Sequence, residues 1–140
     1  MAGQFTILVV DDDALVVSTL TELLRAYGHH VLEATRGLDG LALARAERPD
    51  LILVDYHMPE MDGLAVVEGL KDDTATRSIP VVAVTSETAA DANRLVKAGC
   101  IGFIPKPFEP ATLPALVSQF LRATVARDRR VALPRSRPAS

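Results

Sequence analysis

Asp11, Asp12, Asp13, Asp55, Thr85 and Lys106 are the residues whose types and positions could do chemistry. Each stands at the end of an apolar run. Ile7-Leu8-Val9-Val10 stops at Asp11-Asp12-Asp13, and Leu51-Ile52-Leu53-Val54 stops at Asp55. Val81-Val82-Ala83-Val84 stops at Thr85-Ser86, and Phe103-Ile104-Pro105 stops at Lys106-Pro107. In an open parallel sheet the carboxyl ends of the strands share one edge, and ligands bind in the crevice there. Three or four carboxylates, a hydroxyl and an ammonium would then meet in one place. Crowded carboxylates repel and resist ionisation. A hard divalent cation such as Mg²⁺ relieves this, taking oxygen ligands from one or two carboxylates and a phosphate. Asp55 is the natural nucleophile, because a carboxylate can form an aspartyl-phosphate. Lys106 can neutralise one phosphoryl oxygen and Thr85 can hydrogen-bond another, which is most of what phosphoryl transfer needs.

The elements that must position these groups alternate five times. Short apolar runs at 5–10, 30–34, 51–55, 81–84 and 101–105 read as strands. Residues 13–27 carry Val16, Leu20, Leu23, Leu24 and Tyr27 at helical spacing, with Gly28 as a C-terminal cap. The second helix, 38–47, would turn Leu38, Leu41, Ala42 and Ala46 inward. Helix 64–72 would use Leu64, Val67 and Leu70, and helix 88–98 would use Leu95 and Val96 among alanines. The last helix is expected to start near Pro110 and to bury Leu113, Leu116, Val117, Phe120 and Leu121. Strands alternating with helices imply an α/β, doubly wound (βα)5 flavodoxin-like fold. Its parallel sheet would have the order 2-1-3-4-5, with helices on both faces. That order makes the first and third strands neighbours and joins Asp11 and Asp12 to Asp55.

Bulk properties narrow the class. The chain has 140 residues, 49% of them hydrophobic, which suits one domain with a real core. No apolar run approaches a membrane span, and the first residues show no export signal. A single cysteine, Cys100, makes no internal disulfide and agrees with a reducing cytoplasm. Residues 1–121 hold 9 Lys/Arg against 17 Asp/Glu, a net −8. Residues 122–140 hold six arginines against Asp128, a net +5. Domain limits of 1–125 and an Arg/Pro-rich tail or linker at 126–140 follow from this shift. The acidic body does not attract nucleic acid by itself.

Taken together, five motifs in order and spacing resemble the receiver domain of two-component response regulators. They are Ile-Leu-Val-Val-Asp-Asp-Asp at 7–13, Pro-Asp-Leu-Ile-Leu-Val-Asp at 49–55, Met-Pro-Glu-Met-Asp-Gly at 58–63, Val-Thr-Ser at 84–86 and Lys-Pro-Phe at 106–108. The resemblance covers residues 5–121. It implies that Asp55 is the phosphoacceptor and that Asp12, Asp55 and the backbone carbonyl of His57 bind Mg²⁺ or Mn²⁺. Asp11 would hold the metal through water. Thr85 would move onto the phosphoryl group, Lys106 would pair with it, and the Lys106–Pro107 bond would be cis. Phe103 matches the family's switch aromatic. The surface of the fourth helix, fifth strand and fifth helix would relay the change. His57 and Glu87 match positions that flank the attacking water. The resemblance further implies a cytoplasmic regulatory phosphoacceptor that catalyses only its own phosphorylation and dephosphorylation. Its donor would be a sensor histidine kinase or a histidine phosphotransfer protein, with an output partner the sequence does not name. A homodimer through the fourth-helix to fifth-helix face also fits.

Simpler roles compete for several residues. Asp13 alone reads as a helix N-cap, and Ser86 or Thr88 would cap the fourth helix. The His57 ring has no second ligand at metal spacing, so only its carbonyl is assigned to the metal. Cys100 reads as buried and inert, Met58 and Met61 as loop packing, and His29 and His30 as strand-end residues. Pro105 removes a ladder donor, which suits an edge strand. Two other classes fit less well. An aspartyl-nucleophile phosphatase resembling the haloacid-dehalogenase group would want Asp where His57 stands. A flavodoxin-like flavin binder would want hydroxyls and glycines where three aspartates would repel the phosphate.

Overall fold

Strand β1 (Thr6–Val10), helix α1 (Ala14–Ala26), β2 (His30–Ala34), α2 (Gly37–Glu47) and β3 (Leu51–Val54) form the first half of the chain. They are followed by α3 (Gly63–Asp72), β4 (Val81–Thr85), α4 (Ala89–Ala98), β5 (Gly102–Pro105) and α5 (Leu113–Ala132). The structure, a computed structural model, describes residues 4–86 and 89–132. Glu87, Thr88 and the arginines beyond Ala132 lie outside the described residues. All strand pairs are parallel and the order is β2-β1-β3-β4-β5, as the alternating pattern predicts.

The central strands β1, β3 and β4 are apolar because both faces are covered. Along β1, Ile7 and Val9 point to one layer while Leu8 and Val10 point to the other. The first layer gathers Val17, Leu20 and Leu24 of α1 with Leu113, Val117 and Leu121 of α5. The second gathers Ala44 of α2, Val66, Val67 and Leu70 of α3, and Leu95 of α4. Each fully buried aliphatic side chain contributes about 1.5–3 kcal/mol to folding. Pro105 is on the edge strand, where its missing N–H costs no internal ladder bond.

Several helix faces differ from the periodic reading. In α1 the buried residues are Val17, Leu20, Thr21 and Leu24, while Tyr27 is 52% exposed. Thr21 enters the core because its hydroxyl donates to Glu33 at 2.7 Å. In α2 the expected inward set is overturned except for Leu41, which is half-buried against the core. Leu38 is 60% exposed, Ala42 and Ala46 are exposed, and the buried residues are Gly37, Gly40 and Ala44. The helix lies so close to the sheet that a Cβ at Gly40 would come within 2.8 Å of Val10. Val96 of α4 is 50% exposed, leaving Leu95 as its anchor. Helix α5 starts at Leu113 instead of Pro110. Before it runs a tight turn in which the N–H groups of Thr112 and Leu113 both donate to Glu109 O, at 3.1 and 2.9 Å. Pro114, inside the first turn, is the residue that marks the start. At its other end α5 continues to Ala132, through residues whose composition reads as tail.

Candidate functional site

The parallel ladder delivers the aspartates. Asp11 N–H donates to Ala34 O at 3.1 Å and Asp55 N–H to Val10 O at 3.0 Å, so each follows its strand by one more ladder bond. Both side chains end up buried, Asp11 2% and Asp55 7% exposed, while Asp12 is exposed. One carboxylate oxygen from each of Asp11, Asp12 and Asp55 lies within 4.8 Å of the others. Asp13 leaves the cluster. It caps α1, accepting from Leu15 N at 2.9 Å and Val16 N at 3.4 Å. Asp11 Oδ1 accepts from Asp13 N at 2.9 Å, which holds the Asp11 carboxylate against its own loop.

Lys106 reaches into this cluster from the end of β5. Its Nζ lies 2.8 Å from Asp11 Oδ2 and 3.4 Å from Asp55 Oδ1. The Lys106–Pro107 bond is cis. Lys106 N–H donates to Thr85 O at 3.1 Å, tying the lysine backbone to the last residue of β4. Thr85 is buried. Burial, then the charge of Asp11, raises the Asp55 pKa above the ordinary carboxylate value, although Lys106 pulls it down. Burial would lower the Lys106 pKa. Its hydrogen bond to Asp11 and the charges of Asp11 and Asp55 outweigh this and raise it. The cluster therefore holds more negative charge than one ammonium relieves. Three hard oxygen donors at this spacing fit a divalent cation.

His57 is exposed, and its ring meets that of Tyr56 edge-on at 5.1 Å. No second imidazole or thiolate joins it in a metal-spaced group among the described residues. Phe103 is half-buried against the core layer of α2, α3 and α4. Met58 is buried, and Met61 packs where a Cβ on Gly37 would sit. Cys100 is buried, which pushes its thiol up to about 11. His29 is buried beside Phe5, whose N–H donates to its Nδ1 at 3.4 Å.

Gly63 has a positioning role that residue chemistry alone does not suggest. Its N–H donates to Tyr56 O at 2.7 Å. A Cβ there would run into the carbonyl oxygen of Asp55 and lie 2.7 Å from Tyr56 Cα. The first turn of α3 is thus pressed against the backbone that carries Asp55. Asp62, just before it, caps α3 through Ala65 N at 2.9 Å. The visible signal was the Asp-Gly pair at 62–63.

Comparison with known proteins agrees with this geometry. The response regulator receiver domain family matches residues 7–118. The polar-differentiation response regulator DivK of Brucella anthropi is 41% identical over 103 residues, covering 73% of this chain and 84% of that protein. The receiver domain of a Pseudomonas aeruginosa sensor histidine kinase has a magnesium ion coordinated in its active-site cleft. It superposes with a TM-score of 0.77 at 25% identity, covering 84% of this chain and 98% of its own. NtrX of Brucella abortus superposes with a TM-score of 0.84 at 26% identity, covering 98% of this chain but 31% of NtrX.

Proposed function

The chain belongs to the response regulator receiver domain family of two-component signal transduction, and from that premise we propose that it is a switch driven by phosphorylation of Asp55. The observation that carries the proposal is the convergence of Asp11, Asp12 and Asp55 within 4.8 Å, with Lys106 Nζ bonded among them. The donor is a phosphohistidine of a sensor kinase or phosphotransfer protein. The P–N bond breaks as an Asp55 carboxylate oxygen bonds to phosphorus, and the imidazole leaves. Water later cleaves the acyl phosphate. This chemistry is confined to the domain's own phosphorylation and dephosphorylation.

Asp12, Asp55 and the carbonyl of His57 would hold Mg²⁺ or Mn²⁺, with Asp11 acting through water. When bound, the ion neutralises the carboxylates and the incoming phosphoryl oxygens. Lys106 compensates charge on one phosphoryl oxygen, and Thr85 donates to another. A raised Asp55 pKa in the bare site agrees with a crevice built for additional cationic charge.

Phosphorylation adds up to about two negative charges at Asp55. Thr85 moves toward the phosphoryl group, and Phe103 turns inward behind it. The face of α4, β5 and α5 changes and is read by a partner protein or a second copy through α4 and α5. The receiver acts alone or as the N-terminal part of a longer regulator. No described helix is long and apolar enough to cross a membrane, which suits a cytoplasmic switch. Amide chemical shifts before and after acetyl phosphate with Mg²⁺ test the relay. Shifts reaching Phe103 and the first turns of α5 are expected, and shifts confined to residues around Asp55 would contradict it.

A further inference from the structure

The loop between Asp55 and α3 is held at both ends and at one point between. At its start Asp55 N–H continues the ladder to Val10 O, and at its end Gly63 N–H closes onto Tyr56 O at 2.7 Å. Tyr56 and Met58 join the core layer of α2, α3 and α4, which leaves His57 between them exposed. Glu60 then adopts the left-handed conformation, φ 69°, which a residue with a Cβ resists. Met61 N–H donates back to Pro59 O at 2.7 Å. This reversal returns the chain to the protein at Met61, which is half-buried.

Met61 lands on the first residue of α2. A Cβ at Gly37 would lie 2.9 Å from Met61 Cγ and Sδ and 3.0 Å from its Cβ, closer than packed carbons approach. Gly37 needs no left-handed φ, and alanine is the better helix former. The glycine is therefore fitted to Met61 and not to its own helix. The rest of the seam is loose. A cleft of about 120 Å³ runs between Arg36, Leu38, Pro59 and Glu60 beside the contact. Arg36, just before α2, gives that helix no side-chain cap and reaches Glu60 at 3.2 Å. The two side chains are 61% and 73% exposed, so that pair holds little.

We infer that Met61 is a positioning residue: seated in the notch left by Gly37, it fixes the loop that offers the His57 carbonyl to the metal. This rests on the metal-assisted switch proposed above. Asp55 is set by its strand, whereas His57 sits in a loop whose place against α2 is set by Met61. Mg²⁺ demands near-ideal octahedral geometry, so a small displacement of one ligand lowers affinity. Groups that orient a ligand without touching the metal typically change affinity by roughly 10–100-fold. An alanine at position 37 is not relieved by a swing of the thioether end, because Met61 Cβ and Cγ are also in the way. The loop backbone must give.

The test is a double-mutant cycle on the whole protein, read by Mg²⁺ titration of amide shifts. Gly37→Ala should weaken Mg²⁺ binding about tenfold. In a Met61→Ala background, where the new methyl meets little, the same substitution should change affinity by less than about twofold. Met61→Ala alone should weaken binding, and Met61→Leu, close in volume, should retain most of it. Without metal, hydrogen exchange at the Gly63 amide should quicken in Gly37→Ala, because its bond to Tyr56 O closes the same loop. Three results would overturn the inference: parent-like Mg²⁺ affinity in Gly37→Ala, unchanged exchange at Gly63, or an equal loss from Gly37→Ala in both backgrounds, which would place its effect in α2 itself. If Gly37→Ala does not fold, Met61→Ala against Met61→Leu carries the test, and equal affinity in the two overturns it. A parent that binds no Mg²⁺ would sink the metal reading itself, so the two failures are told apart.

Discussion

Lys106 gives its short hydrogen bond to Asp11, at 2.8 Å, and stands 3.4 Å from Asp55. The lysine is held by the carboxylate that does not react, and the one proposed as nucleophile keeps an oxygen only loosely engaged. Removing the ammonium should expose the repulsion between Asp11 and Asp55. We expect Lys106→Met to lower stability at pH 7 by about 1–3 kcal/mol, measured by urea unfolding. Adding millimolar Mg²⁺ should recover part of the loss. A variant as stable as the parent would show that the ammonium compensates nothing.

The pH dependence of Asp55 has a definite sign. A carboxyl whose folded pKa is raised binds its proton more tightly in the folded state than in the unfolded one. Stability therefore falls as pH rises from the ordinary carboxylate value through the raised one. Ionised Asp55 costs stability at neutral pH when no metal is present. Asp55→Asn should raise the melting temperature at pH 7 without Mg²⁺ by a few degrees. The gain should shrink in acid below the ordinary carboxylate value and also when Mg²⁺ is added to the parent. Melting curves at several pH values check both arms, and a gain that grows in acid would reverse the sign.

Gly63→Ala should be among the most damaging small substitutions. The new methyl meets backbone at Asp55 and Tyr56, which cannot rotate away as a side chain can. A loss of about 1–3 kcal/mol is expected. Where the variant still folds, its acetyl phosphate labelling should slow more than that of Gly69→Ala, whose methyl would meet only Leu41 side-chain atoms at 3.2 Å.

Asp13 is read as a cap and not as a ligand. Asp13→Ala should cost about 1 kcal/mol of stability, from the lost bonds to Leu15 and Val16. Its Mg²⁺ affinity should stay within about twofold of the parent, whereas Asp12→Ala should lower that affinity well beyond this. Titration of amide shifts with Mg²⁺ separates the two.

The sheet and the crevice were legible because both are written in side chains. Runs that are apolar at every position mark strands covered on both faces, and the polar residue ending each run becomes a neighbour of the next at one edge. Asp11, Asp12, Asp55, Thr85 and Lys106 could be placed in that way. What escaped was carried by backbone or by a single side-chain hydrogen bond. The inward face of α2 centres on Gly37, Gly40 and Ala44, with Leu41 half-buried beside them, so counting apolar residues at helical spacing misplaced Leu38, Ala42 and Ala46. Thr21 enters the core through a hydrogen bond to Glu33 that no periodicity reports. Gly63 matters for the atoms it lacks. The start of α5 at Leu113 depends on a tight turn at Glu109 and not on the first proline available.

The central claim is that Asp55 accepts a phosphoryl group in this crevice. Intact-protein mass after incubation with acetyl phosphate and Mg²⁺, for the parent and Asp55→Ala, addresses it most directly. A gain of one phosphoryl group, about 80 Da, is predicted in the parent and not in the variant, and omission of Mg²⁺ should abolish it. An equal gain in both proteins would place the phosphoryl group elsewhere. No gain in the parent with Mg²⁺ bound would contradict phosphorylation of Asp55 by this route.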